Sequence, residues 1–240
     1  MAGHSKWANI QHRKGAQDAK RAKIFTKLIR EITSATRVGG KDQETNPRLR
    51  LAIHKALDAN MTRDAIDRAV KRGTGEIAGS DFSEAVYEGY GPGGAAIMVD
   101  CLTDNKIRTV SDVRAVFTKH NGNLGVSGSV SYLFKKIGVI RFVDVTLETQ
   151  LFDVAIEAGA DDIIVIPECG VEVVTRPDTF ELVVAKLREK GFSSDAELIE
   201  MQPITTVAID AECQLQLDKM LEKLDSLDDV QEVYTNARSS

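Results

Sequence analysis

Residues 138–201 read GVIRFVDVTLETQLFDVAIEAGADDIIVIPECGVEVVTRPDTFELVVAKLREKGFSSDAELIEM. In this stretch, short runs rich in valine and isoleucine alternate with two longer runs in which apolar residues recur every three or four positions. The first pattern is typical of strands and the second of amphipathic helices. It predicts strands at 139–143, 162–167, 171–175 and 196–201, and helices at 147–158 and 177–190. The resulting order, βαββαβ, predicts a ferredoxin-like domain over residues 138–201.

The flanking segments, residues 80–134 and 204–240, each predict only part of an α/β domain. The first segment predicts strands at 85–88, 95–102 and 129–134 and a helix around 107–117, with Thr109 and Asp112 as a capping box. The second predicts strand, helix, strand at 205–209, 212–224 and 230–234. Two strands and one helix are too little for a core, so the two segments are expected to form one discontinuous domain around the insertion.

Residues 1–75 predict helices only. Apolar spacing predicts a first helix over 14–38, followed by a second that Asn46 caps and a third that Thr62 caps and Gly73 ends. Leu57 and Val70 are expected in their core. A Gly/Ser/Thr-rich linker follows at 73–81. The predicted fold class is therefore α+β and multidomain, with an N-terminal helical domain, a discontinuous α/β domain and an inserted ferredoxin-like domain.

The composition is that of a globular protein. The 240 residues are 42% hydrophobic and 28% charged, which excludes disordered and fibrous classes. No apolar run approaches the roughly 18 residues of a membrane span. The N-terminal residues MAGHSKWANIQHRKGAQ carry charge where a signal peptide is apolar. We therefore expect a soluble, cytoplasmic protein without a membrane partner.

The net charge of -5 conceals an asymmetry. Residues 1–75 hold 17 Lys and Arg against 7 Asp and Glu, whereas the other 165 residues hold 14 against 29. A basic domain joined to an acidic body indicates a polyanionic partner, namely nucleic acid. The alternative interpretation of the same cations is a solvated helix face.

The predicted nucleic-acid interface lies along the first helix. Helical spacing puts five of its cations, here called the basic row, on the side opposite Phe25, Leu28 and Ile32. The basic row consists of Lys20, Lys23, Lys27, Arg30 and Arg37. One cation every three or four residues suits a phosphate backbone. The residues expected to bind nucleic acid are Lys6, His12, Arg13, Lys14, Lys20, Arg21, Lys23, Lys27, Arg30 and Arg37. A secondary surface is expected at Lys106, Arg108 and Lys119, because residues 105–141 hold seven cations and one acid within acidic flanks.

No motif indicates catalysis, a cofactor or a metal. His4 and His12 lack a second ligand cluster, and the three cysteines form no CxxC pair. The glycines at 122, 125 and 128 favour a tight helix-to-strand connection over a backbone clamp. Paired acids such as Asp228-Asp229 are expected to be solvated. We expect a non-enzymatic protein that works as a monomer.

Six segments carry a family resemblance. The segment AGHSKWANIQHRKGAQDAKRAKIFTKLIREI, residues 2–32, resembles the opening signature of the YebC family. The further segments are NPRLR (46–50), NMTRD (60–64), YEGYGPGGAAIMVDCLTDNKIRTVSDVRAVFTKHNGNLG (87–125), GSVSYLF (128–134) and DDVQEVY (228–234). The chain departs from the family pattern at Gln11, where a basic residue is common, and at His120-Asn121, where Cys-Gly is common.

The resemblance implies the same three domains and a regulator of gene expression that binds nucleic acid. Two roles attach to the family: a DNA-binding transcriptional regulator, and a ribosome-associated translation factor that contacts rRNA or tRNA and helps synthesis through proline-rich stretches. The absence of a helix-turn-helix signature favours structured RNA. A small-molecule sensor remains the alternative outside both roles.

Overall fold

The structure, a computed structural model, describes residues 6–144, 146, 148–166 and 170–239, with side chains from residue 21 onward except those of 148 and 239. It contains a helical N-terminal region followed by two antiparallel four-stranded sheets. The mixed α+β class predicted from the sequence is confirmed at this level. No helix in the described ranges is long and apolar enough to cross a membrane.

The N-terminal region consists of helices α1 (Lys6–Gly39), α2 (Pro47–Asp58) and α3 (Arg63–Thr74). Both predicted caps are confirmed, because Asn46 accepts from the Leu49 amide at 3.1 Å and Thr62 accepts from the Ala65 amide at 3.3 Å. Their buried core is formed by Ile32, Ala35, Leu49, Ala52, Ile53, Ala56, Met61, Ile66 and Ala69.

Three details of the helical prediction are wrong, the first being the start of α1, which is Lys6 rather than residue 14. The left-handed residue after α3 is Gly75, not Gly73. Gly73 instead lies against α1, where an added Cβ would come within 2.7 Å of the Thr33 carbonyl oxygen. Leu57 is 43% exposed, whereas Val70, although half-buried, packs against the core as predicted. Helical spacing alone did not predict which residues in the last turns of α2 and α3 pack against the rest of the helical region.

The first sheet has the order β3-β1-β2-β9. Its strands are β1 (Ser83–Tyr90), β2 (Ala96–Thr103), β3 (Asn123–Leu124) and β9 (Val230–Thr235). Helices α4 (Lys106–Lys119) and α7 (Ala211–Asp225) cover one face, where Val99, Phe117 and Met220 share a core. Segments more than 100 residues apart therefore build one sheet.

The second sheet has the order β5-β6-β4-β7, with every neighbouring pair antiparallel. Its strands are β4 (Phe134–Phe142), β5 (Asp162–Ile166), β6 (Gly170–Thr175) and β7 (Ala196–Pro203). Helices α5 (Glu148–Ala158) and α6 (Phe180–Glu189) share a core with it that includes Phe142, Leu151 and Phe180. Two short parallel strands, β8 (Val207–Ile209) and β10 (Ala237–Ser239), pair near the end of the chain.

Two local predictions beside the first sheet are also wrong. Residues 129–133 are not a strand, because the Glu88 carboxylate accepts hydrogen bonds from the Val130 and Ser131 amides that a strand would donate to a neighbouring strand. Only Phe134, the last residue of the predicted strand, belongs to a strand, β4. The cap of α4 is Asn105, which accepts from the Arg108 amide at 3.1 Å, rather than a Thr109–Asp112 box. Thr109 lies inside the helix and donates its hydroxyl to Asp229 at 2.7 Å.

Candidate nucleic-acid interface

The predicted basic row faces away from the core of the helical region, and part of it is covered by the acidic body. Lys27 Nζ lies 2.6 Å from Asp225 Oδ1 and donates to the Gln231 carbonyl oxygen at 3.2 Å. Lys23 Nζ donates to the Ser226 carbonyl oxygen at 2.7 Å. The partners belong to residues 225–231, here called the α7–β9 turn. The cations are thus held by oxygens of the chain itself.

Arg30 makes the most buried contact among the row's described side chains. Its guanidinium donates to the Asp229 carboxylate and, at 2.8 Å, to the Leu102 carbonyl oxygen. The side chains of Arg30 and Asp229 are 14% and 7% exposed. The Arg30 guanidinium also lies 5.0 Å from the centre of the Phe82 ring. Breaking such a buried pair costs several kcal/mol, roughly 3 to 5. Arg30 therefore anchors α1 on the first sheet.

Asp229 accepts hydrogen bonds from three elements. Besides Arg30 on α1, its carboxylate accepts from Arg108 at 2.8 Å and from Thr109 at 2.7 Å on α4, and from Thr103 at 3.3 Å on β2. Burial raises the pKa of Asp229, but the hydrogen bonds from Arg30, Thr109 and Arg108 outweigh burial and lower the pKa to about 2. The Asp229 carboxylate is therefore ionised at neutral pH. The prediction that Asp229 is solvated is wrong, whereas the same prediction for Asp228, which is exposed, is confirmed.

Among the remaining predicted residues of the first helix, two have side chains that the structure describes and five do not. Arg37 forms an ion pair with Asp81 of the linker. Arg21 is exposed, and its guanidinium lies 5.2 Å from the centre of the Phe25 ring and donates to the Asn60 carbonyl oxygen at 3.4 Å. Five predicted residues lie outside the described side chains: Lys6, His12, Arg13, Lys14 and Lys20. For these the structure gives only the helical backbone of α1.

The three cations of the predicted secondary surface also differ in whether they form ion pairs. Arg108 is paired with Asp104 at 2.9 Å and with Asp229. Lys106 and Lys119 are exposed, and no ion pair to either occurs in the described part of the chain. They lie at the two ends of α4, about 20 Å apart at 1.5 Å per residue. Two of the three predicted secondary cations are therefore available to a ligand.

The roles of two acidic residues that organise this region, Asp225 and Asp229, were not predicted from the sequence. Asp225 was assigned no role, and Asp229 was expected to be solvated as one of the paired acids Asp228-Asp229. Counting charge by segment cannot reveal that these carboxylates meet cations nearly 200 residues away. In the described ranges, no group of three or more His, Cys, Asp and Glu side chains could hold a metal ion.

Comparisons with known proteins cover nearly the whole chain. One family model, the N-terminal domain of the TACO1/YebC proteins, matches residues 5–76, and a second, their second and third domain, matches residues 82–237. A probable transcriptional regulatory protein of Nitrosospira multiformis is 52% identical, with 99% of each chain covered. One of Thioalkalivibrio sulfidiphilus is 56% identical, covering 99% of this chain and 95% of the relative. The crystal structure of a conserved hypothetical protein from Aquifex aeolicus superimposes with a TM-score of 0.82 at 47% identity, covering 93% and 92%.

Proposed function

Because this chain belongs to the TACO1/YebC family, we propose that it is a non-enzymatic regulator of gene expression that binds nucleic acid through α1. The observation that carries the proposal is the charge distribution: a helical region with an excess of ten cations is joined to a body with an excess of fifteen acids. Nucleic acid attracts the first region and repels most of the second, apart from residues 105–141, which hold seven cations and one acid. Relatives named as probable transcriptional regulatory proteins support a regulatory role.

The primary contacts are assigned to the part of α1 that precedes the covered cations. Lys27 and Arg30 are held by Asp225 and Asp229, so the phosphate contacts fall to Lys6, His12, Arg13, Lys14, Lys20 and Arg21. Arg13 and Lys20 are seven residues apart, so the helix of α1 carries them on one side. Each phosphate that they neutralise adds affinity by releasing counterions.

A second candidate, a ribosome-associated translation factor that contacts rRNA or tRNA, is favoured by the surface of α3. The exposed side of α3 carries Asp64 and Asp67 beside Arg63 and Arg68, and Arg68 pairs with Asp64 at 2.9 Å. A helix that reads the major groove of DNA needs a surface that phosphates do not repel. Because the charge on α3 is mixed, α3 does not suit a DNA groove. The proposed contacts are then those of α1 with the phosphate backbone of a structured RNA. Crosslinking in cells, sorted into DNA, rRNA, tRNA and mRNA, distinguishes the two roles.

The binding experiment is a salt titration of the purified chain with duplex DNA and with structured RNA. If four cations contact phosphates, the log-log slope is expected to be roughly -3 to -4 for a duplex. Replacing Lys106 and Lys119 with glutamine is expected to reduce its magnitude by about one unit for each residue that contacts a phosphate. Lys219→Gln with Lys223→Gln, exposed lysines of α7, is the matched control. Binding that does not change with salt would contradict the proposal.

We also propose that residues 138–201 form an inserted ferredoxin-like domain, and that residues 80–134 and 204–240 form the discontinuous domain around it. The support is the strand order β5-β6-β4-β7 and the sharing of the first sheet by both flanks. An isolated segment 134–203, which includes all of β4 and β7, is expected to unfold cooperatively in urea. Residues 80–134 alone lack β9 and α7 and are expected to remain unfolded. A stable, two-state segment 80–134 would show the division to be wrong.

A further inference from the structure

A buried carboxylate fixes the loop that connects β3 to β4. Glu88, on β1, is 5% exposed, and its two oxygens accept from the amides of Gly128 at 2.8 Å, Val130 at 2.7 Å and Ser131 at 2.8 Å. Burial raises the pKa of Glu88, but the hydrogen bonds from these backbone amides outweigh burial and hold the pKa below its usual value. The carboxylate is therefore ionised, and it fixes residues 125–131 from beneath.

Close contacts of the backbone at Gly125 also hold the loop in place. The Gly125 amide donates to the Glu88 carbonyl oxygen at 2.8 Å, and a Cβ at Gly125 would lie 2.5 Å from Ser129 Oγ. Gly128 has a φ of +86°, which glycine adopts without strain. The loop is thus held by hydrogen bonds and by Val130, which is fully buried beside Ala96 and Met98, whereas Val126 and Tyr132 face solvent.

The fixed loop presents two tyrosine rings. Tyr132 is 66% exposed and Tyr90, on the neighbouring end of β1, is 36% exposed. The Tyr90 hydroxyl donates to the Ser129 carbonyl oxygen at 3.1 Å, and the neighbouring Tyr132 side chain raises the pKa of Tyr90. Val126, 78% exposed, belongs to the same loop. The Tyr90 ring, which the hydrogen bond to Ser129 holds in place, loses little conformational entropy when a ligand binds.

Cations of α4 lie beside this loop in the fold. Asn123 of β3 pairs with Tyr90 of β1, and Lys119 ends α4 four residues before Asn123. Lys119 and Arg114 are exposed and form no ion pair in the ranges that the structure describes. The surroundings therefore favour an anionic ligand that also has flat apolar faces.

We propose that Tyr90, Tyr132 and Val126 form a stacking platform for unpaired bases of a single-stranded nucleic acid, whose phosphates run towards Lys119 and Arg114. Any base can stack on a tyrosine ring, so such a platform recognises single strands without reading sequence. The inference rests on the proposed nucleic-acid-binding function and adds a ligand class and a second site to it.

The test uses the full chain and fluorescence anisotropy with a labelled oligouridylate of about 12 nucleotides, since one base stacked on an aromatic side chain contributes about 1 to 3 kcal/mol. Tyr132→Ala is expected to weaken single-strand binding about 10-fold, which corresponds to about 1.4 kcal/mol. Tyr132→Phe keeps the ring and is expected to stay within about 2-fold of wild type. The matched control is Phe152→Ala, which removes a 54% exposed ring from α5.

A duplex of the same length separates failure of this inference from failure of the proposed function. Duplex binding is expected to be unchanged in Tyr132→Ala, because paired bases cannot reach the rings. If wild type binds both probes and Tyr132→Ala binds the single strand as well as Phe152→Ala does, the platform is refuted while the proposed function stands. If wild type binds neither probe at low salt, both are refuted. Circular dichroism and melting temperature confirm that each variant is folded.

Discussion

Asp229→Ala is expected to lower the free energy of unfolding by about 3 kcal/mol, because it leaves the buried Arg30 guanidinium without its carboxylate. Arg108 and Thr109 lose the same acceptor. The value lies at the lower end of the range for broken buried pairs, since Arg108 is half-exposed and keeps Asp104 as a partner. A lower urea midpoint with an unchanged m-value is the expected result.

Asp225→Ala provides the matched control. Asp225 is also paired with a cation of α1, Lys27, but its side chain is 63% exposed. An exposed ion pair contributes about 0 to 1 kcal/mol, so this variant should unfold close to wild type. If Asp229→Ala costs no more than Asp225→Ala, Asp229 does not anchor α1.

The free energy of unfolding, measured as the pH is lowered, provides a second test of Asp229. The pKa of Asp229 is lowered to about 2 in the folded chain, against about 3.9 for an unperturbed aspartate. The unfolded chain therefore binds more protons between these values, so this stabilisation is complete above about pH 5 and lost as pH falls towards 2. Roughly 1 kcal/mol should disappear between about pH 5 and pH 3. Asp229→Asn should lack this part of the pH dependence.

Much of the fold could be predicted because local periodicity determined it. The strand and helix order of residues 138–201 follows from runs of β-branched residues and from helical spacing, and both N-terminal caps follow from Asn46 and Thr62. The prediction failed where a distant side chain intervened. Residues 129–134 have the composition of a strand, yet Glu88, about 40 residues earlier, binds their amides.

The candidate interface could likewise be predicted only where residues of a single helix determine it. Helical spacing correctly placed Lys23, Lys27 and Arg30 opposite the core of the helical region, because that depends only on residues within one helix. It could not show what covers that side. The covering carboxylates, Asp225 and Asp229, come from the far end of the chain, and their positions depend on how α1 packs against the first sheet.

Charge reversal of Arg13, Lys14 and Lys20 to glutamate is expected to weaken nucleic-acid binding at least about 100-fold, since three phosphate contacts are lost and three repulsions are added. Lys27 and Arg30 are left intact because they hold α1 on the α7–β9 turn. Glutamate has nearly the helix propensity of lysine, so helical circular dichroism and the melting temperature should stay near wild type. Anisotropy titrations with duplex DNA and structured RNA measure the effect.

The control must change the net charge equally without touching the proposed interface. Reversal of Lys190, Lys219 and Lys223, which are exposed on the acidic body, meets this condition. If general repulsion controlled affinity, both triple variants would weaken binding alike. If instead α1 carries the phosphate contacts, only the first variant should lose affinity, and its salt slope should flatten towards zero. Binding by the α1 variant that matches the control in affinity and slope would show that the row is a solvated helix face.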